Sequence, residues 1–373
     1  MGRAGWPPAA ARRAASVACL GLALSGCAHF GPGGGRLPPG QALTPEERRN
    51  AILRAEVWSP TDIPSLDLKL GPDPERGFSR DEWTTCEYRD RKLSGRTPKF
   101  ACEARPGDEV KVKYGPRNGE VFGEVLATRL FWALGFAADR MYPVRVRCRG
   151  CPTDPWHGRE KAGEVAEFDP AAIERKLPGR AMETRENSGW KWSELELIGS
   201  GAGPEARARR DALKLLAAFV QHTDNKAAQQ RLLCPPAEQV GRTGCRRPVL
   251  MVSDLGRTFG SANLLNADAK SSVKFVRWSR TPVWKDPGRC VAQLGRSFTG
   301  TLRNPRIGEA GRAFLAGLLL QLSDAQIRDL FEIARVERRP RDASEDGPPA
   351  SVDEWAAAFK RKRAAIADHR CPQ

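Results

Sequence analysis

Polar and apolar positions change their period several times along the chain, and each change marks an element. Lys99–Glu103 and Glu109–Tyr114 alternate with period two, as strands with one buried face do. Pro106, Gly107 and Asp108 between them spell a turn. In the second strand Lys111 and Lys113 share one face, while Val110, Val112 and Tyr114 share the other. A loop with Gly115, Pro116 and Gly119 follows. Val121–Leu134 then takes a helical period, apolar at 122, 126, 130, 131 and 134, and stops at Gly135. Met141–Val146 returns to a strand pattern. Pro170–Lys176 reads as helical, and the Trp190 and Trp192 indoles as core or groove wall.

The second half is mostly helical in pattern. Glu205–Val220 is amphipathic, with apolar pairs at 212/213, 215/216 and 219/220. It runs into His222-Thr223-Asp224. Pro248–Ser253 is a continuous apolar strand that delivers Asp254-Leu255-Gly256. Gly311–Leu322 and Ser323–Val336 are helices, the second opened by a Ser323…Gln326 capping box. Ser351 and Glu354 cap a last helix carrying Trp355, Phe359 and Ile366. The expected fold class is α+β: a small antiparallel sheet with one main helix over residues 79–200, then a mostly helical part over 201–373.

The first 78 residues read differently. Arg3, Arg12 and Arg13 precede the apolar run Ala14–Leu24, which is too short to span a bilayer and has the form of an export signal. Its end, Leu24-Ser25-Gly26-Cys27, resembles the lipobox of bacterial lipoproteins. That resemblance implies cleavage after residue 26, a lipid on Cys27, and a membrane-anchored protein on the periplasmic side of the envelope. Residues 27–78 are then a Gly/Pro-rich tether with a short helix at Thr44–Val57, which either spans or packs on the domain.

Composition adds three constraints. Hydrophobic residues at 40% and charged residues at 28% of 373 describe a soluble globular chain of one large or two ordinary domains. Cleavage before Cys27 removes three arginines and lowers the formal charge from +16 to +13. Such a balance suits anionic lipid or polymer. The basic residues are scattered apart from Lys360–Arg363, with no zinc-finger or RNA-binding signature, so specific nucleic-acid binding is not expected. Of ten cysteines, eight lie beyond Cys27, and an even number in an exported chain suggests disulfides. Proximity pairs Cys86 with Cys102, Cys148 with Cys151 and Cys234 with Cys245, leaving Cys290 and Cys371, although eight cysteines allow about 105 connectivities. Cys148-Arg-Gly-Cys151 is also a possible redox or zinc half-site, without a second C-x-x-C to complete zinc.

Phosphoryl transfer needs a carboxylate for the attacking hydroxyl, a second carboxylate for a divalent ion, and a strand lysine fixed by a helix glutamate. His222-Thr-Asp224-Asn-Lys226-Ala-Ala-Gln229 resembles the kinase catalytic loop H-R-D-L-K-P-E-N, and Asp254-Leu255-Gly256 resembles D-F-G. On these motifs the chain resembles the atypical protein-kinase-like superfamily: HipA-like, CotH-like and secretory-pathway kinases. The resemblance runs from about Glu82 to Leu330. It implies a two-lobed kinase-like fold, with Asp224 as base and Lys226 beside it. It also implies Gln229 and Asp254 as Mg²⁺ or Mn²⁺ ligands, and Lys113 or Lys111 with Glu124 on the phosphates of ATP or another nucleotide. Glu120 rivals Glu124 but falls before the expected helix. Gln stands where the family has Asn, Asp224 and Asp254 lie 30 residues apart, and Leu93–Pro98 is the only candidate phosphate loop. These departures keep a second reading open: a catalytically inactive pseudokinase-type lipoprotein that binds a protein or envelope polymer.

Overall fold

Five strands close on themselves in the first half of the chain. They are Trp83–Arg89 (β1), Lys99–Arg105 (β2), Asp108–Tyr114 (β3), Arg140–Arg149 (β4) and Val165–Arg175 (β5). Their order is β1-β2-β3-β5-β4, and β4 pairs parallel with β1 to shut the barrel. Alternation fills it: Phe100, Val110, Val112, Val144, Val146 and Ile173 are buried in one apolar cluster. The computed structural model describes residues 42–161, 164–198, 203–260, 272–339 and 348–372. The export segment and Cys27 lie outside the described residues.

The helical expectation for Pro170–Lys176 is overturned. Pro170–Arg175 belong to β5, which pairs with both β3 and β4, and Lys176 follows its end. Ala171-Ala172-Ile173-Glu174 favours a helix locally, but two flanking ladders override local propensity. The helix Glu120–Ala133 (α2) also differs from expectation. It starts one residue earlier and is buried on every side except at Trp132, rather than along one stripe. Its charged side chains therefore need partners, and Arg129 donates to the carbonyls of Leu68 and Lys69.

The early helix Pro45–Leu53 (α1) is packed on the fold. Thr44 and Glu47 form its capping box, Ala51 and Ile52 join the main core, and Arg48 meets Glu194 at 2.6 Å. Beyond the barrel, Arg180–Ala181 (β6), Gln230–Cys234 (β7) and Val249–Val252 (β8) make a small sheet in the order β8-β7-β6. Around it lie Gly203–Phe219 (α3), Phe275–Arg280 (α4), Glu309–Leu320 (α5), Asp324–Ile333 (α6) and Val352–Ala367 (α7). The capping boxes at Ser323 and Ser351 form as read. Trp278, Trp355 and Phe331 stack at 5.4 Å spacings to knit α4, α6 and α7. Mixed α and β elements are thus segregated along the chain, an α+β architecture.

Cysteine sulfurs pair as Cys86–Cys102, Cys148–Cys151, Cys234–Cys245 and Cys290–Cys371, with Cα separations of 5.5 to 5.8 Å. Cys290–Cys371 spans 81 residues and ties the chain end to the loop before α5; Cys234–Cys245 spans only 11. Loop entropy then makes the long bridge the larger contributor, about 4.5 against about 3 kcal/mol. Equilibrium denaturation of C290S/C371S and C234S/C245S should show the larger midpoint loss in the former.

Candidate active site

Three separate pieces of chain deliver charged groups to one point beneath the barrel. The first is β3, whose outward face carries Lys111 and Lys113. Register sets Lys99 of β2 directly opposite Lys113, a neighbour that sequence alone did not single out. The second piece is α2. Because the helix begins at Glu120, Glu120 and Glu124 sit one turn apart on the same face. Lys113 Nζ donates to Glu120 Oε2 at 2.8 Å and to Glu124 Oε1 at 2.7 Å.

The third piece is the small sheet and the turns at its ends. α3 ends in a turn at Gln221 (φ 55°), and the chain passes through His222 to Asp224. β7 and β8 pair so that Ser253 N donates to Gln229 O at 3.0 Å, which sets Gln229 next to Asp254. Gln229 Nε2 bridges the carboxylates, 2.5 Å from Asp254 Oδ2 and 3.2 Å from Asp224 Oδ2. Asp254 Oδ1 lies 3.7 Å from Lys113 Nζ and so joins the two halves. Lys226 Nζ is 3.6 Å and Arg257 Nη1 3.8 Å from Asp224 Oδ2, and Ser297 Oγ donates to Asp224 Oδ1 at 3.1 Å.

Close contact between α2 and the Asp254 turn fixes this geometry. A Cβ on Gly123 would come within 2.8 Å of Gly256 O, and one on Gly256 within 2.5 Å of Glu120 Cγ. Gly123 thus lies against backbone and Gly256 against the Glu120 side chain, and a Cβ at either would push helix and turn apart. On the Asp224 side Asn225 is the latch. Its fully buried amide donates to His222 O and Leu302 O and accepts from the Thr301 and Leu302 amides. Nothing in the motif reading pointed to Asn225, Ser297 or Arg257, since their partners are distant in sequence.

Burial makes the charges interdependent. It opposes the Lys113 ammonium, yet Glu120, Glu124 and Asp254 together raise its pKa well above the lysine value. Burial pushes Glu124 well up; Lys113 pulls it back, and Asp254 beside it pushes it further. Burial also disfavours charge on Asp254, but Lys113, Lys111 and Lys99 hold its carboxyl far below the usual range. The site thus holds Glu124 above and Asp254 below the ordinary carboxylate range. Lys111 stands apart, in an ion pair with Glu174. These two line a cavity of about 550 Å³ that also touches Leu93 and Ser94. Thr97, in the same loop, donates to Glu120 at 2.8 Å.

Two observations bear on a divalent ion. Glu120, Glu124 and Asp254 bring ligand oxygens within 4.8 Å of one another. Gln229 places a neutral N–H donor where two carboxylates converge, while its Oε1 is buried without a partner. Rotating that amide would offer the oxygen to a cation between Gln229 and Asp254, so the donor set fits a hard divalent metal.

Removing the lysine should expose these dependencies. Lys113→Met leaves the buried Glu120 and Glu124 and the half-buried Asp254 without their cation, and urea denaturation should show a loss of about 3 kcal/mol or more. Adding Glu120→Gln should restore part of it. His222 provides a pH test. Burial holds its imidazole down to about 4 from 6.5, with both ring nitrogens unpartnered among the described residues. The unfolded chain therefore takes up this proton first as pH falls. The His222 contribution is whole above about 6.5 and lost towards 4, on the order of 3 kcal/mol. Asp139, pushed up to about 6 by burial, acts with the opposite sign. The readout is thus the difference between the chain and His222→Leu, whose pH slope should be shallower.

No protein-family model matches the chain, and no curated protein matches it significantly. Among solved structures, the proinflammatory kinase CtkA of Helicobacter pylori aligns with 76% of this chain and 94% of its own, at 11% identity and a TM-score of 0.41. This chain is similar to that kinase in outline only.

Proposed function

We propose that the chain is a kinase-like phosphotransferase. The observation that carries this reading is the meeting of Lys113, Glu124, Asp224, Gln229 and Asp254 at one point, from segments over a hundred residues apart. On this reading the barrel with α2 is the upper lobe and the helices beyond residue 201 are the lower. Asp224 accepts the proton of the attacking hydroxyl, while Lys226 and Arg257 flank it with positive charge. Lys113, held by Glu124, meets the phosphates of ATP or another nucleotide, and Lys99 adds charge behind it. Asp254 and Gln229 would hold Mg²⁺ or Mn²⁺, which supplies charge neutralisation of the transferred phosphoryl group. The cavity beside Lys111 is of a size that takes a small-molecule ligand. Export and a lipid on Cys27 belong to the same proposal and rest on the sequence. They give a membrane-anchored enzyme facing the periplasm, with an envelope protein or polymer as partner.

One feature favours a second reading, an inactive scaffold of the same shape. Lys113 is already committed to Glu120 and Glu124, with Asp254 close by. To engage a phosphate it must release one of them, and Glu120, shared with Thr97, is the one outside the motif. Transfer of labelled γ-phosphate, measured with Mg²⁺ and Mn²⁺ on the protein itself and on generic acceptors, separates the readings. Asp224→Asn and Asp254→Asn should each lower the rate about 100-fold or more while the folded spectrum persists. Metal-dependent nucleotide binding without transfer would favour the scaffold, and absence of both would end the kinase reading.

A further inference from the structure

A second charged cavity lies where β4 and β5 of the barrel meet the segment after α6. It measures about 340 Å³ and is lined by Arg80, Asp81, Arg145, Asp169, Arg335 and Arg338. Four guanidiniums face two carboxylates, an excess of two positive charges. Arg335 is the deepest of them, 8% exposed, just past α6. Its terminal nitrogens donate to Val144 O at 3.2 Å and Ala171 O at 2.5 Å, which clamps the side chain against β4 and β5. Its Nε is buried and has no hydrogen-bond partner among the described residues. Arg145 repeats the pattern: its Nε is also buried without a partner, 3.7 Å from Asp169 Oδ2 and beyond hydrogen-bond reach. Arg338 donates to Asp169 Oδ1 at 2.8 Å from the rim, where its side chain is 46% exposed. Arg80 donates to Asp81 and lies 3.6 Å from Glu332, which also holds Lys69.

A buried guanidinium N–H without an acceptor is costly, and two of the arginines that line this cavity carry one. Asp169 does not supply the missing acceptor: it accepts from Arg338 at 2.8 Å but lies 3.6 Å from Arg335 and 3.7 Å from Arg145. Guanidiniums set around a cavity suit a tetrahedral oxyanion with several acceptor oxygens, and a dianion matches the excess charge. We propose that this cavity is a phosphate-group site, taking free phosphate or a small phosphate monoester, which bridges the barrel and the helices beyond residue 323. Burial and Arg338 pull Arg335 down to about 10, and an anion among these groups would reverse that strain. The site is separate from the Asp224–Asp254 constellation, and the proposal stands whether or not that constellation transfers phosphate.

The test is calorimetric titration of the full chain with inorganic phosphate and with O-phospho-L-serine, against sodium chloride at matched ionic strength. Saturable one-to-one binding is expected, with a rise in Tm. Arg338→Ala and Arg80→Ala, both at partly exposed positions, should each weaken it at least tenfold, and Asp169→Asn should tighten it. Lys113→Gln, checked for folding, should leave it intact. Binding of phosphoserine as well as phosphate makes it an ester site; binding of phosphate alone makes it an orthophosphate site. No saturable binding, or binding lost in Lys113→Gln but kept in Arg338→Ala, would overturn the proposal.

Discussion

One ammonium group, Lys113, is buried at 2% exposure against three carboxylates, and the surrounding architecture keeps that arrangement satisfied. A buried charge is tolerable only with partners in good geometry. Here the partners come from α2 and from the turn after β8, so both must be held to fractions of an ångström. Gly123 and Gly256 permit the approach of helix to turn. The burial of α2 on nearly all sides fixes its rotation. The β7–β8 ladder then sets Gln229 against Asp254, and through Gln229 the position of Asp224. Strain at the site, in the positive φ of Asp254, is tolerated because so many contacts determine it.

Much of this was legible in the sequence because it depends on local signals. Period-two alternation marked β2 and β3, Gly135 marked the end of α2, and Ser-x-x-Gln and Ser-x-x-Glu marked the starts of α6 and α7. The catalytic-loop and Asp-Leu-Gly motifs named three of the five groups that converge, and the strand and helix upstream supplied Lys113 and Glu124 as candidates. What was hidden depends on long-range pairing. Pro170–Lys176 has helical composition and became a strand because β3 and β4 needed a partner between them. A helix start displaced by one residue turned Glu120 from a flanking loop residue into a second partner for Lys113. Lys99 enters only through the β2–β3 register, and Asn225 only through the segment at Thr301–Leu302. The choice between Lys111 and Lys113 was equally non-local: they share a face, but α2 lies under one and Glu174 of β5 beside the other.

The same reasoning links the two charged regions of the molecule. At Lys113 the ammonium donates to two carboxylates and a third lies 3.7 Å away. At Arg335 guanidiniums outnumber carboxylates and two buried N–H groups have no acceptor. A buried cation with partners of its own is stable without a ligand; a buried N–H without an acceptor gains from one. The contrast also says what catalysis would require at Lys113: an incoming phosphate must take the place of one carboxylate, and the Thr97–Glu120 contact ties that exchange to the Leu93–Pro98 loop.

The central claim is that Asp254 and Gln229 share a divalent ion with a nucleotide held at Lys113. Anomalous diffraction from crystals grown with Mn²⁺ and a non-hydrolysable ATP analogue tests it directly. The account predicts a manganese peak between Asp254 and Gln229, with the Gln229 oxygen turned towards it and a phosphate in contact with Lys113. Manganese or nucleotide bound elsewhere, with the Gln229 amide nitrogen still bridging Asp224 and Asp254, would contradict it.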